Sequence, residues 1–166
     1  MKKTALLVLS ITFSLIIVEI LLRMAGFKPW KNYETNQNII FEPIKNLGWK
    51  SKKGTYTISA GSANNKSEIS IGDKGNRLNQ IENISGNKSK IIFVGGSFTQ
   101  GWGVNDNQTF VSKIQNKYQN FKVINFGQGG YGGVQSLILL KDEIKNLKNT
   151  KLVVYGFIEH HQYRNV

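Results

Sequence analysis

Residues 91–104 read IIFVGGSFTQGWGV, and this stretch decides the fold. Four apolar residues, Ile91 to Val94, run uninterrupted into Gly95 and Gly96. A short apolar run closed by glycine marks a strand buried on both faces. Downstream, Phe110, Val111, Ile114 and Tyr118 fall at helical spacing. A second strand is expected at 122–126 (KVINF), closed by Gly127. Val134, Leu137, Ile138, Ile144 and Leu147 form a second helical stripe, and a third strand at 151–155 (KLVVY) ends at Gly156. The order is β-α-β-α-β. Such alternation predicts a parallel sheet covered by helices. Ligands of open parallel sheets bind beyond the carboxyl ends of the strands, so the three glycine-bearing loops are expected to share one edge.

The first of those loops carries Ser97. A serine at a strand-to-helix turn stands clear of the sheet, and neighbouring glycines let a substrate approach the backbone closely. Its own N–H can point at a developing oxyanion. The same position also suits a plain helix N-cap. The second loop, 125–132, reads NFGQGGYG. Gly127 and Gly132 are read there as tight-turn glycines at positive φ. The loop also spells Gly127-x-Gly129-x-x-Gly132 after a strand, the pattern of dinucleotide sites. A dinucleotide unit wants an acidic residue at the end of the next strand, and the third strand ends at Tyr155 and Gly156 without one. The third loop, 156–165, reads GFIEHHQYRN. Adjacent histidines without a second ligand cluster make a poor metal site, so no metal is expected.

Residues 91–104 resemble the first block of the SGNH/GDSL hydrolases, a strand followed by Gly-Asp-Ser-Phe-Thr-x-Gly-x-Gly-Val. Gly95 to Val104 match that pattern except at Gly96, which stands where the family has aspartate. Residues 125–132 are similar to the family's second block, Asn-x-Gly-x-x-Gly-x-Gly. The resemblance covers residues 91–133 well and 72–165 loosely. It implies a flavodoxin-like three-layer α/β/α fold with Ser97 as nucleophile. It implies an oxyanion hole from the N–H groups of Ser97 and Gly130, and no cofactor. The family's third oxyanion donor is an asparagine in Gly-x-Asn-Asp, a motif absent here. His160 falls about where that asparagine would, with Asn165 as the other candidate.

Serine catalysis needs a base for the hydroxyl proton. In SGNH enzymes it comes from Asp-x-x-His, which this sequence lacks; His160 and His161 are its only histidines. The expected architecture is therefore an incomplete SGNH domain, its front half, at 89–166. The expected function is an esterase or acyl-group hydrolase acting on ester bonds. A catalytically inactive remnant or a membrane-anchored interaction protein is the alternative, and a nucleotide-binding α/β domain the third. Anchored relatives act on acylated cell-envelope carbohydrates, which suggests an acylated small-molecule or carbohydrate substrate by analogy.

Upstream, residues 26–88 lack a long apolar period and read as a linker with a small β lead-in. Residues 55–59 and 68–71 alternate as short strands, and 72–77 (GDKGNR) reads as a turn. Lys2 and Lys3 precede an apolar run, Ala5 to Leu22, broken by one charge at Glu19. That run is long enough to span a bilayer. No Ala-x-Ala pattern precedes Ala25 and Gly26, so an uncleaved signal anchor over residues 1–25 is preferred to a cleaved, secreted form. Membrane contact is expected through residues 4–22, with a single pass and an exported, periplasmic or extracellular domain. Arg23, Lys28 and Lys31 on the far flank weaken that orientation. The net charge of +12 comes mostly from lysines spread along the chain. Without arginine clusters or aromatic interleaving, nucleic-acid binding is not expected. The absence of cysteine excludes disulfides and thiolate chemistry.

Overall fold

The computed structural model describes residues 2–27, 40–59, 66–79 and 88–164 of the chain. It divides into two compact units, residues 1–36 and 37–166.

In the first unit, one helix, α1 (Lys2–Met24), runs through the apolar segment. It is exposed along its whole length and apolar on every side, from Leu6 to Leu22. Several of its polar groups are answered within the helix. Ser10, Thr12 and Ser14 donate to carbonyls three or four residues back. Glu19 pairs with Arg23 one turn later at 2.8 Å, so the single acidic charge of the run is neutralised near its end. The helix is long and apolar enough to cross a membrane or to act as a signal anchor.

The second unit is mixed α/β. Two antiparallel hairpins come first, β1 (Phe41–Ile44) with β2 (Gly48–Ser51), and β3 (Gly54–Ser59) with β4 (Lys66–Ile71). The rest is the β-α-β-α-β unit. It comprises β5 (Ser89–Gly95), the one-turn helix α2 (Ser97–Gln100), α3 (Phe110–Lys117), β6 (Phe121–Gly127), α4 (Gly133–Ile144) and β7 (Thr150–Gly156). The three strands form a parallel sheet in the order β6-β5-β7. Gly95 is in register with Gly127 on one side and Gly156 on the other. All three glycine-ended loops therefore leave one edge, as the strand pattern predicts.

Alternation along β5 sends successive side chains to opposite faces. Ile92 and Val94 pack with Ile124, Phe126, Leu139 and Leu147 under α4, where Leu47 and Trp49 of the first hairpin join them. Ile91 and Phe93 pack with Val123, Val111 and Ile114 under α3. The sheet thus lies between the two helices. The stripe read for α4 is only partly inward. Ile138 and Leu147 join the core, but Val134, Leu137 and Ile144 are exposed. The buried face of α4 centres instead on Ser136 and Leu139.

The stretch read as linker and lead-in is more closely integrated than its composition suggests. Its hairpins carry a small core of their own, built from Ile40, Tyr56, Ile58, Ile69 and Ile71. Arg77 then bridges Ile71 and Asn125, joining this β layer to the outer edge of β6. That edge would otherwise present unpaired backbone groups. The Asn79 side chain donates to the Val123 carbonyl, and Gln115 caps both Phe121 O and Val123 N.

Candidate active site

The site is built around α2, which lies across the ends of the three strands. A Cβ at Gly95 or Gly156 would overlap the Thr99 hydroxyl, and one at Gly127 would overlap the Gln100 backbone nitrogen. The glycine after each strand is thus required by close packing of one helical turn. This corrects the expectation for Gly127 and Gly132. Neither has positive φ: Gly127 admits main chain against it, and Gly132 is the extended N-cap of α4, at φ −98°. In this loop the left-handed position is Gly130, at φ +83°.

Ser97 is the first residue of α2, and Gly96 before it is the N-cap. The serine is therefore not the cap. Its side chain is half-buried, and its hydroxyl forms no hydrogen bond among the described residues. The N–H groups of Ser97 and Gly130 likewise have no acceptor among the described residues. Donors that are to receive an incoming oxyanion need that freedom. The second loop is held firmly around Gly130. Gln128 N–H donates to Gly95 O at 2.9 Å, and Trp49 Nε1 donates to Gly129 O at 2.8 Å. The Tyr131 hydroxyl donates to the Trp49 carbonyl. Burial pushes that phenol up to about 12, so it stays protonated. A Cβ on Gly130 would meet the Trp49 ring at 2.9 Å, in addition to the strain of its φ.

Behind α2 lies a buried polar frame. Asn125 donates from Nδ2 to Thr99 O and accepts from Gly127 N–H, both at 2.9 Å, tying the helix to the second loop. Gln100 Nε2 donates to Ser51 Oγ, and Ser51 donates to Gln128 Oε1. Arg77 is fully buried and pairs with Asp106 at 2.9 Å. Its remaining donors reach the carbonyls of Gln100, Gly101, Val104 and Glu68. Burial pulls this guanidinium below its ordinary value, and Asp106 opposes that pull. The first three end α2 and begin the loop after it, and Glu68 lies on β4, so Arg77 ties the far side of the Ser97 turn to the hairpin layer.

The third loop carries both histidines, and they differ in burial. His160 is exposed. His161 is wholly buried, with Nδ1 2.7 Å from the Tyr155 hydroxyl and its ring set against Phe157. Its Nε2 has no partner among the described residues, yet it lies 2.7 Å from where a Cβ on Gly96 would stand. The imidazole therefore occupies the space into which a side chain at 96 would grow. That is a physical reason for glycine where the resembling family has aspartate. Burial, then Arg164 and His160, lowers the His161 pKa, so the ring is neutral near pH 7. Asn165 lies outside the described residues. The sequence reading did not single out Arg77 or tell the buried His161 from His160. The only available signal for His161 was that it is one of two histidines beside a strand end.

Two of the three glycines of the dinucleotide-like pattern are already covered. Gln100 main chain sits on Gly127, and a Cβ on Gly129 would meet Phe41 at 3.0 Å. Among the described residues no three histidine, aspartate or glutamate side chains gather as a metal site. Neither a protein-family model nor a curated protein matches this sequence.

Proposed function

We propose that this chain carries the nucleophile half of an SGNH-type serine hydrolase site, held at a membrane by α1. The observation that carries the proposal is Ser97 itself. Among the described residues its half-buried hydroxyl, which opens α2 on the carboxyl edge of a parallel sheet, has no partner, and the N–H groups of Ser97 and Gly130 have no acceptor. In this reading Ser97 Oγ attacks an ester carbonyl and forms an acyl-enzyme, while the two N–H groups bind the oxyanion. The resemblance in residues 91–104 and 125–132 supports the assignment, and a flavodoxin-like sheet order is proposed with it. The exposed rings of Phe98 beside the serine and Phe157 on the third loop suit an apolar acyl group. The substrate class proposed by analogy is acylated cell-envelope carbohydrate, with the domain on the exported side.

A fluorophosphonate probe tests the nucleophile. The full chain in detergent is expected to label, and Ser97→Ala is expected to lose labelling by at least about 100-fold, as removal of a nucleophile does. Hydrolysis of p-nitrophenyl acetate is expected to fall in parallel. A wild-type chain that neither labels nor hydrolyses the ester is an inactive remnant or an anchored interaction protein, and the proposal fails.

A further inference from the structure

Lysines that are spread along the sequence gather in the fold. Residues 88–164 hold nine lysines, and none lies on the three loops of the carboxyl edge, 96–109, 128–132 and 157–164. Seven of the nine stand at the opposite, amino edge of the parallel sheet. The second residue of each strand is one of them: Lys90 in β5, Lys122 in β6 and Lys151 in β7. Lys88 and Lys148 lie just ahead of β5 and β7. Helices of a β-α-β unit run back against the strands, so Lys117 at the end of α3 and Lys145 just beyond α4 arrive at this edge too. Side-chain bonds join the approaches. Lys88 Nζ donates to Gln119 O at 2.8 Å, and Lys90 Nζ donates to the Lys148 carbonyl.

The edge keeps its charge. Five of the seven are exposed, and Lys88 and Lys90 are half-buried. Among the described residues none of them is ion-paired to a carboxylate. Of the acids late in α4, Glu143 turns to Lys74, and Asp142 is exposed three residues before Lys145. Helix dipoles account for lysine at the ends of α3 and α4. They do not account for the strand lysines. Lys90 and Lys122 are direct register partners, and like charges on paired positions cost stability. A plain excess of lysine would fall on both edges of the sheet alike.

We propose that this amino edge docks on the anionic headgroups of a lipid bilayer and turns the carboxyl edge toward water. Clustered ammonium groups are drawn to an anionic leaflet, and lysine meets phosphodiesters as a point charge on a flexible stem. The exposed ring of Tyr118 stands at the same edge, with Lys117 Nζ 5.6 Å from its centroid. Tyrosine favours the headgroup level, where one end of the ring is wet. The helix α1 favours lipid over a soluble polyanion. It is long and apolar enough to enter a bilayer, and the covalent chain then keeps the 37–166 unit near that surface. The docking rests on this membrane reading and is independent of Ser97.

The test is lysine acetylation of the full chain in bilayer nanodiscs, with each site read by peptide mass spectrometry. Discs of phosphatidylcholine alone are compared with discs in which phosphatidylglycerol replaces part of it. In the anionic discs, acetylation of Lys117, Lys122, Lys148 and Lys151 is expected to slow by about fivefold or more as headgroups cover them. Lys53 and Lys66 are the controls, on the hairpin layer that bonds to Asn105 and Asp106 of the carboxyl edge. Their rates are expected to stay the same in both discs. Salt at 1 M, which shortens the reach of exposed charges to about 3 Å, is expected to restore the fast rates. Changing Lys117, Lys122, Lys148 and Lys151 together to Gln is expected to abolish the protection of Lys88 and Lys145, with the fold intact by circular dichroism. Equal rates in the two discs overturn the docking while leaving α1 as the anchor. A slowing shared by Lys53 and Lys66 overturns it as well. Protection by added inorganic polyphosphate in neutral discs, with none from phosphatidylglycerol, assigns the edge to a soluble polyanion and overturns it. A chain that enters neither disc overturns the anchoring and the docking together.

Discussion

At the residue scale, Gly96 and His161 show how two distant positions constrain one another. The imidazole fills the volume that any side chain at 96 would need, so glycine is required by a neighbour 65 positions away and not by its own φ of −85°. Enclosing that ring has a pH consequence. Burial and the nearby Arg164 and His160 lower the folded-state pKa of His161 beneath 6.5. Below pH 6.5 the unfolded chain therefore binds a proton that the folded chain refuses. The sign follows from linkage: stability rises with pH wherever the unfolded state holds more protons. The contribution of His161 is intact above pH 6.5 and is lost as pH falls from there toward the lowered value. Thermal unfolding, followed through Trp49 against Tyr131, should show the wild type losing stability between pH 7 and pH 5. His161→Gln should flatten that loss, whereas the exposed His160→Gln should not. Equal acid sensitivity in wild type and His161→Gln would show that the ring is not held neutral by the fold.

At the scale of elements, the three strands and two helices were legible because each obeys a simple period. Apolar runs closed by glycine became β5, β6 and β7, each longer than read by a residue or two at its ends. The loops were legible in place but not in cause. Gly127 looked like a turn glycine, yet it admits the main chain of α2, an approach between residues 27 apart that no local pattern encodes. Ser97 was legible as the residue that opens the helix. His161 was not distinguishable from His160, because a loop without a period does not say which neighbour turns inward. Arg77 was invisible for a similar reason, since arginine in a glycine-rich turn normally faces water. Here it joins the hairpin layer to β6 and satisfies four carbonyls besides Asp106. Arg77→Ala would leave the buried Asp106 carboxylate with the Ser70 N–H but without its counter-charge, a change worth about 3–5 kcal/mol, against a total stability of about 5–15 kcal/mol for a typical domain. A large drop in the unfolding midpoint is expected, with loss of Ser97 labelling as the far side of the turn loosens. Arg77→Met combined with Asp106→Leu should recover only part of it, since the carbonyls of Gln100, Gly101, Val104 and Glu68 lose their bonds from Arg77 and Ser70 N–H loses its acceptor. Full recovery would mean that the carbonyl contacts contribute little and the charge pair alone matters.

At the scale of the whole molecule, the two units have opposite relations to water. The 37–166 unit folds its apolar side chains around a sheet and two hairpins, whereas α1 exposes its apolar side chains along its entire length. Its 23 residues span about 35 Å at 1.5 Å per residue, somewhat more than the roughly 30 Å of a bilayer's hydrocarbon core. Mean hydropathy reaches 2.7 over its best 18 residues. The Glu19–Arg23 pair sits near one end, where an interface can solvate it. Such an exposed apolar surface suits lipid or detergent, and on the proposed anchoring the full chain should sediment with membranes and resist alkaline carbonate extraction. Arginine near the centre of such a helix opposes insertion by about 2.5–3.5 kcal/mol per residue. The double variant Leu9→Arg with Phe13→Arg should therefore move the protein to the soluble fraction. Sequencing of the mature N-terminus separates the two forms of attachment. A chain that still begins at Met1 or Lys2 is held by α1 itself. One that begins near Phe27 has lost it, and the wild type would then appear in the carbonate supernatant as well. Release of the intact, uncleaved wild type by carbonate would show that α1 does not span the bilayer, and the proposed membrane-held site would have to be abandoned.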